Sequence, residues 1–132
     1  MSHLLRTAFR PLFATRTFTT TSRIMAPKQE WMAILPDYAG KLAERNQVRA
    51  DHLKDTKPDV ESGLIVLGGA MLEEPIKEGV PPKMKGSVLM CVANTEEEVW
   101  DRVKKDVYYT GDVWDKEKVQ IFPFKSAIRQ GL

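Results

Sequence analysis

The sequence predicts one small α+β domain whose elements follow the order strand, helix, strand, strand, helix, strand. Two apolar runs of strand length, at 31–35 and 64–72, flank a stretch with helical spacing. A proline- and glycine-rich loop at 73–85 then separates the second run from a third, and a helix-start signature at Thr95 opens a second apolar stripe. With 132 residues, 42% of them hydrophobic, the chain has enough apolar material for one compact core and too little for two.

Each element has its own local reason. Trp31 to Leu35, bounded by Pro36 and Asp37, is a short apolar run. Tyr38 to Thr56 carries Ala39, Leu42, Ala43, Ala50 and Leu53 near the 3.6 period, and Pro58 just beyond predicts the helix end. Gly63 leads into Leu64 to Leu72, a second strand. In the loop, Pro75, Gly79, Pro81 and Pro82 remove backbone donors and fix dihedrals against regular structure. Gly86 to Ala93 forms a third strand. Thr95 with Glu98 is a capping box, and the acids Glu96, Glu97 and Glu98 suit the positive end of the helix. That helix shows Val99, Trp100, Val103 and Val107 on one side and is expected to fail near Gly111. Val119 to Phe124 closes the βαββαβ order, the ferredoxin-like split unit.

Two helices cover only one face of a four-stranded sheet, yet the strands are apolar on both. Met32 and Ile34 oppose Trp31, Ala33 and Leu35, and Leu89, Cys91 and Ala93 oppose Val88, Met90 and Val92. A bare apolar face of that extent calls for a partner, and a self-complementary pairing of two copies is the commonest answer. The expectation is a homodimer closed sheet against sheet.

Residues 1–25 read differently. They hold Arg6, Arg10, Arg16 and Arg23, many Ser and Thr residues and no acid, the composition of a mitochondrial transit peptide. Leu4, Leu5, Phe9, Leu12 and Phe13 recur at helical spacing among the arginines; the rival reading is a disordered basic tail. Arg16 and Phe18 match a two-step matrix processing pattern with a mature start near Ala26. The expected division is therefore 1–25 transit peptide and 26–132 folded domain, in the mitochondrial matrix. Met25 offers an alternative start and a cytosolic form. Taking four arginines and no acid from a chain of net charge +2 leaves −2, so the body lacks the basic surface that nucleic acid requires. No apolar stretch approaches membrane-spanning length, so no membrane insertion is expected. Cys91 is the single cysteine and reads as a small buried hydrophobe.

With this order in hand, the body resembles the YciI (YCII-related) family of dimeric α/β-barrel proteins from about Trp31 to Ile128. Val48, Arg49, Ala50, Asp51, His52, Leu53 is similar to its Arg-Pro-x-His-Leu motif, and Leu67, Gly68, Gly69 to its strand-two glycine. Asp106, Val107, Tyr108 and the run Val119 to Lys125 resemble its Asp-Pro-Tyr and Val-x-Pro-Phe-Lys elements. Ala50 and Val107 stand where that family has prolines, and the 73–85 loop is this chain's own. The resemblance implies a His52 and Asp106 pair lining a cleft with Arg49 beside it, and in certain relatives lyase or isomerase chemistry with the His carrying a proton.

The residues themselves allow two readings of that pair. A carboxylate that orients an imidazole leaves the other ring nitrogen free for acid or base work, while an ordinary interhelical hydrogen bond would use the same groups. Asp106 is expected in the last turn of the second helix, where a carboxylate is disfavoured by roughly 0.3–1 kcal/mol. Arg49 is a candidate anchor for an anionic substrate or a solvated surface charge. Tyr108 and Tyr109 are candidates for the cleft mouth or for packing at the helix end, and Gly68 and Gly69 mark a bulge or a close ligand approach. Substrate contacts are accordingly assigned to Arg49, Gly69 and Tyr108, and catalysis to His52 and Asp106. No phosphate loop, CxxC or HExxH pattern is present, so no metal or cofactor is expected, and a haem role would have only His52 as imidazole ligand. The functional expectation is acid–base chemistry on a small organic acid or lactone-like compound; the alternative is a non-catalytic metabolite-binding or pseudo-enzyme module.

Overall fold

The computed structural model describes residues 27–132, so the transit-peptide reading of residues 1–25 lies outside it. The elements are β1 (Gln29–Pro36), α1 (Leu42–Glu61), β2 (Ile65–Leu72), β3 (Met84–Ala93), α2 (Glu96–Lys105), α3 (Val107–Thr110) and β4 (Gln120–Phe124). One sheet holds all four strands in the order β2-β3-β1-β4, antiparallel throughout, which is the ferredoxin-like arrangement.

The period-two pattern decides which face of the sheet is core. Trp31, Ala33 and Leu35 of β1 point to the helices and are 8%, 0% and 0% exposed. They pair with Cys91, Leu89 and Ser87 of β3, all buried on the same side. Val99 and Val103 of α2 and Trp114 of the α3–β4 connection, none of them exposed, complete this core. The opposite face carries Met32, Ile34, Val88, Leu67 and Phe122, with Leu67 and Phe122 clearly exposed. Met90 lies on that face yet is buried, because Ser126 and Arg129 of the C-terminal segment reach over it while bonding Glu30.

Both helix boundaries differ from the expected ones. α1 continues through Pro58 to Glu61. Proline removes only its own N–H from the ladder, and the last turn recovers its ends: Ser62 N donates to Pro58 O at 2.9 Å and Gly63 N to Val60 O at 3.1 Å. Gly63, at φ +79°, terminates the helix in a left-handed conformation that favours glycine. The start moves from Tyr38 to Leu42 because Tyr38 N is taken by Val113 O at 2.8 Å and Asp37 bridges to Trp114.

The second helix breaks at Asp106, short of the expected Gly111. Asp106 has extended backbone, φ −66° and ψ 140°, and its carboxylate accepts from Tyr108 N at 2.9 Å, starting the separate turn α3. Asp106 thus stands at the C-terminal end of α2, as expected, its N–H donating to Val103 O at 3.2 Å, and is at the same time the N-cap of α3, where its carboxylate finds a backbone donor. The Thr95 cap forms as read, Oγ1 accepting from Glu98 N at 3.3 Å, while Glu98 returns to Asn94 N rather than to Thr95 N.

Candidate active site

The side chains Arg45, Arg49, His52 and Thr56 recur at i, i+4, i+7 and i+11 along α1, so one stripe of that helix faces β2. Between helix and strand lies a cleft of about 390 Å³, within the usual range for small-ligand sites. β2 leaves it open because its cleft-side positions are small. Gly68 pairs with Leu89 and Ala70 with Ser87, both residues of the helix-covered face. A Cβ at Gly68 would stand 3.2 Å from Leu89 Cδ2. Gly69 pairs with Val88 instead, so its Cα–H is turned to the other face and only its backbone borders the cleft.

His52 sits midway along the cleft wall, 9% exposed. Its Nδ1 lies 2.8 and 2.9 Å from the two carboxylate oxygens of Asp106. Its ring stacks on Tyr108 with centroids 4.2 Å apart and meets Trp114 edge-on at 6.1 Å. Asp106, fully buried, also accepts from Arg102 Nη1 at 3.0 Å. Burial pushes its carboxyl up, but the His52 hydrogen bond and charge, the Tyr108 N–H and Arg102 together hold it below the usual carboxylate range. An ionised Asp106 only accepts, so Nδ1 of His52 carries the hydrogen and Nε2 is left as the imidazole's free position.

Two arginines that the sequence reading did not single out brace this pair. Arg102, 3% exposed, bonds Asp106, Asp59 and, at 3.1 Å, the hydroxyl of Thr56, which itself donates to His52 O at 2.7 Å. Its signal was its position four residues before Asp106, in the same stripe as Val99 and Val103. Arg45, also 3% exposed, donates to Asp37 at 2.8 Å and Ser87 at 2.7 Å, with its guanidinium 4.4 Å from the Tyr108 ring centre. Burial raises the Asp37 carboxyl against the pull of Arg45. The signal for Arg45 was the seven-residue spacing to His52.

Arg49 lines the cleft, is exposed, and makes no ion pair with a described residue. Tyr108 lies on the cleft floor at 1% exposure, and burial raises its phenol while Arg45 and Arg49 oppose the rise. Tyr109 is not brought to the cleft; it packs under Lys116, 4.9 Å from its ring centre. Cys91 is fully buried in the core, and burial pushes its thiol up to about 11, so it is held as the inert thiol. Among the described residues no three His, Cys, Asp or Glu side chains gather as a metal site, and no helix is long and apolar enough to cross a membrane.

A four-stranded antiparallel sheet with helices on one face and a cleft under the first helix places the chain in the ferredoxin-like α+β class. A solved structure of this class, 5-chloro-2-hydroxyhydroquinone dehydrochlorinase (TftG) from Burkholderia phenoliruptrix in complex with 2,5-dihydroxybenzoquinone, matches with a TM-score of 0.62. That match covers 73% of this chain and 93% of the other at 24% identity, and it establishes a shared fold. No family model matches the chain. Fusaric acid biosynthesis protein 2 of Gibberella fujikuroi is 34% identical over 98 residues, 74% of this chain and 94% of that protein. Xenovulene A biosynthesis cluster protein asL2 of Sarocladium schorii is 32% identical over 113 residues, 81% of this chain and 98% of that protein. The chain belongs to the family of these biosynthesis proteins.

Proposed function

We propose that this chain processes a small organic compound, with His52 as general acid or base and Asp106 as the residue that orients it, in a lyase or isomerase type of reaction. The observation that carries the reading is the His52–Asp106 contact at 2.8 Å in the wall of a cleft, which commits Nδ1 to the carboxylate and leaves Nε2 to exchange a proton with a bound molecule. The names of the relatives favour small-molecule chemistry: two are biosynthesis proteins, and the structural neighbour is a dehydrochlorinase with a small quinone bound. Arg49, the Gly69 backbone and Tyr108 are then the contacts for the compound. The narrower assignment as a YCII-related protein rests on the Arg49–His52 and Asp106–Tyr108 motifs.

The rival, a binding module that leaves its ligand unchanged, is favoured by one feature. Arg102 joins Asp106 to Asp59 and Thr56, so the same pair also clamps α1 to α2. Deuterium incorporation from D2O into a panel of small organic acids and lactones separates the two. Acid–base chemistry at carbon requires label to enter with the wild-type chain and not with His52→Gln or Asp106→Asn. An unlabelled panel, with a ligand co-purifying, assigns the cleft to binding.

The exposed apolar face with Leu67 and Phe122 fits a second copy of the chain, giving a homodimer. The arginine-rich, acid-free residues 1–25 fit import into the mitochondrial matrix, with Met25 as an alternative start. Expression of the full chain carrying a C-terminal fluorescent tag, beside a version beginning at Met25, tests the address.

A further inference from the structure

The cleft is charged at one end only. α1 and β2 run in opposite directions through the turn at 62–64, so Val60 lies beside Ile65 and Val66, while Arg45 reaches Ser87, whose partner on β2 is Ala70. Arg45 and Arg49 therefore mark the Gly68–Ala70 end, and Leu53, Val60, Ile65 and Val66 the other. From Arg49 to Val60 the helix advances roughly 16 Å at 1.5 Å per residue.

Charge accounting narrows the occupant. The lining side chains include two guanidiniums and an imidazole but no carboxylate. Arg45 is already paired with Asp37, 2.8 Å away, and Arg102, which does not line the cleft, is shared between Asp59 and Asp106, whose carboxylate also holds His52 Nδ1. Of the two lining arginines, Arg49 alone makes no ion pair with a described residue, so its guanidinium is open to an anionic group of a bound molecule. Building on the reading of His52 as the group that faces the bound compound, we propose that the cleft takes a small amphiphilic monocarboxylate. Its carboxylate is held by Arg49 beside Gly68 and Gly69, and its apolar body lies along Leu53, Val60 and Val66.

The placement of His52 adds a chemical constraint. Arg49 and His52 are i and i+3 on α1, so their Cβ atoms are about 5–6 Å apart. The carbon opposite Nε2 is then close in bonds to the carboxylate; an ionised carboxylate acidifies a neighbouring C–H only weakly, so proton transfer there requires a further electron-withdrawing group on the compound. Gly68 keeps this part of the cleft free of side-chain bulk.

Calorimetric titration of the full 132-residue chain with hexanoate, hexanamide and acetate tests the proposal. Hexanoate is expected to bind at least about ten-fold more tightly than either probe, since hexanamide lacks the charge and acetate the apolar body. Arg49→Gln, a change at an exposed position, is expected to remove the preference over hexanamide and keep the preference over acetate. His52→Gln is expected to keep both. Equal affinity for hexanoate and hexanamide, or no binding of hexanoate at millimolar concentration, overturns the proposal. So does loss of the charge preference in His52→Gln but not in Arg49→Gln, which would assign anion recognition to the imidazole. A panel left unlabelled by deuterium, with these preferences intact, would fail the acid–base reading and leave this one standing.

Discussion

Replacing Asp106 with Asn changes one atom in a place where three donors converge. Asp106 Oδ1 accepts from His52 Nδ1 and Tyr108 N, and Oδ2 from His52 Nδ1 and Arg102 Nη1, all within 2.8–3.0 Å. The amide keeps one acceptor oxygen. If that oxygen serves His52 and the Tyr108 cap, its NH2 group faces the Arg102 guanidinium, donor against donor. Arg102 is 3% exposed, so water cannot replace the lost acceptor, although Asp59 still holds its Nε. Loss of a charge-assisted buried bond together with an unmatched donor amounts to about 3 kcal/mol, toward the lower end of the range for breaking a buried pair. Urea unfolding at pH 7, followed by circular dichroism with the slope m checked for constancy, measures it. The pH dependence adds a second signature. Asp106 titrates below its ordinary value of 3.8 in the folded state, so its contribution is complete above about pH 5 and is lost as pH falls through the depressed folded value. The gap between wild type and Asp106→Asn should therefore narrow in acid. A difference under about 1 kcal/mol at pH 7, or one that does not narrow in acid, would refute the convergence of donors on this carboxylate.

The proposed dimer predicts that the wild-type chain sediments as a dimer and that Phe122→Glu, which places a charge in the exposed apolar face, sediments as a monomer with unchanged far-ultraviolet dichroism; a monomeric wild type would refute the dimer, and a dimer that survives the change would place the contact elsewhere. Cys91, with its thiol pushed up to about 11 and no exposure, should react with a colorimetric thiol reagent only on unfolding; rapid labelling of the native protein would show an open core there. Pro58→Ala restores an N–H inside α1 and is expected to stabilise by about 1–2 kcal/mol, the regained hydrogen bond outweighing the looser unfolded chain; destabilisation in thermal unfolding would mean that the ring's rigidity sets the helix end.

The fold was legible because its signals are local and agree with one another. Odd positions of β1, the Thr95 cap and the proline-rich loop each specify an element without reference to the rest, and the βαββαβ order follows. The helix ends were less legible, since Pro58 reads as a stop until the Ser62 and Gly63 bonds that finish the turn are seen. The break at Asp106 was hidden by an apolar stripe that continues through Val107, and only the side-chain bond to Tyr108 N shows why the chain turns there. Arg45 and Arg102 were passed over because a charged residue on a helix reads by default as a solvated face. Their burial depends on partners 42 and 43 positions away, Ser87 and Asp59, which no local window contains.

The cleft has a physical cause that joins these observations. β2 is a weak strand by propensity, with Gly68, Gly69 and Ala70 at its centre, and a sheet edge gains little packing from such residues. What the edge forfeits in contact appears as space, because Gly68 has no side chain and the Ala70 methyl is too small to fill the gap beneath α1. The helix must then be held by other means, and the polar bonds supply them. Arg45 fastens its first turn to Ser87 of β3, His52 its middle to Asp106, and Asp59 its last turns to Arg102 of α2. Filling the strand with larger apolar residues would make the arginines dispensable to stability and close the cleft. Retaining small residues on the strand and buried guanidiniums on the helices keeps His52 fixed at the wall of an open space, the geometry that acid–base chemistry and ligand binding both require.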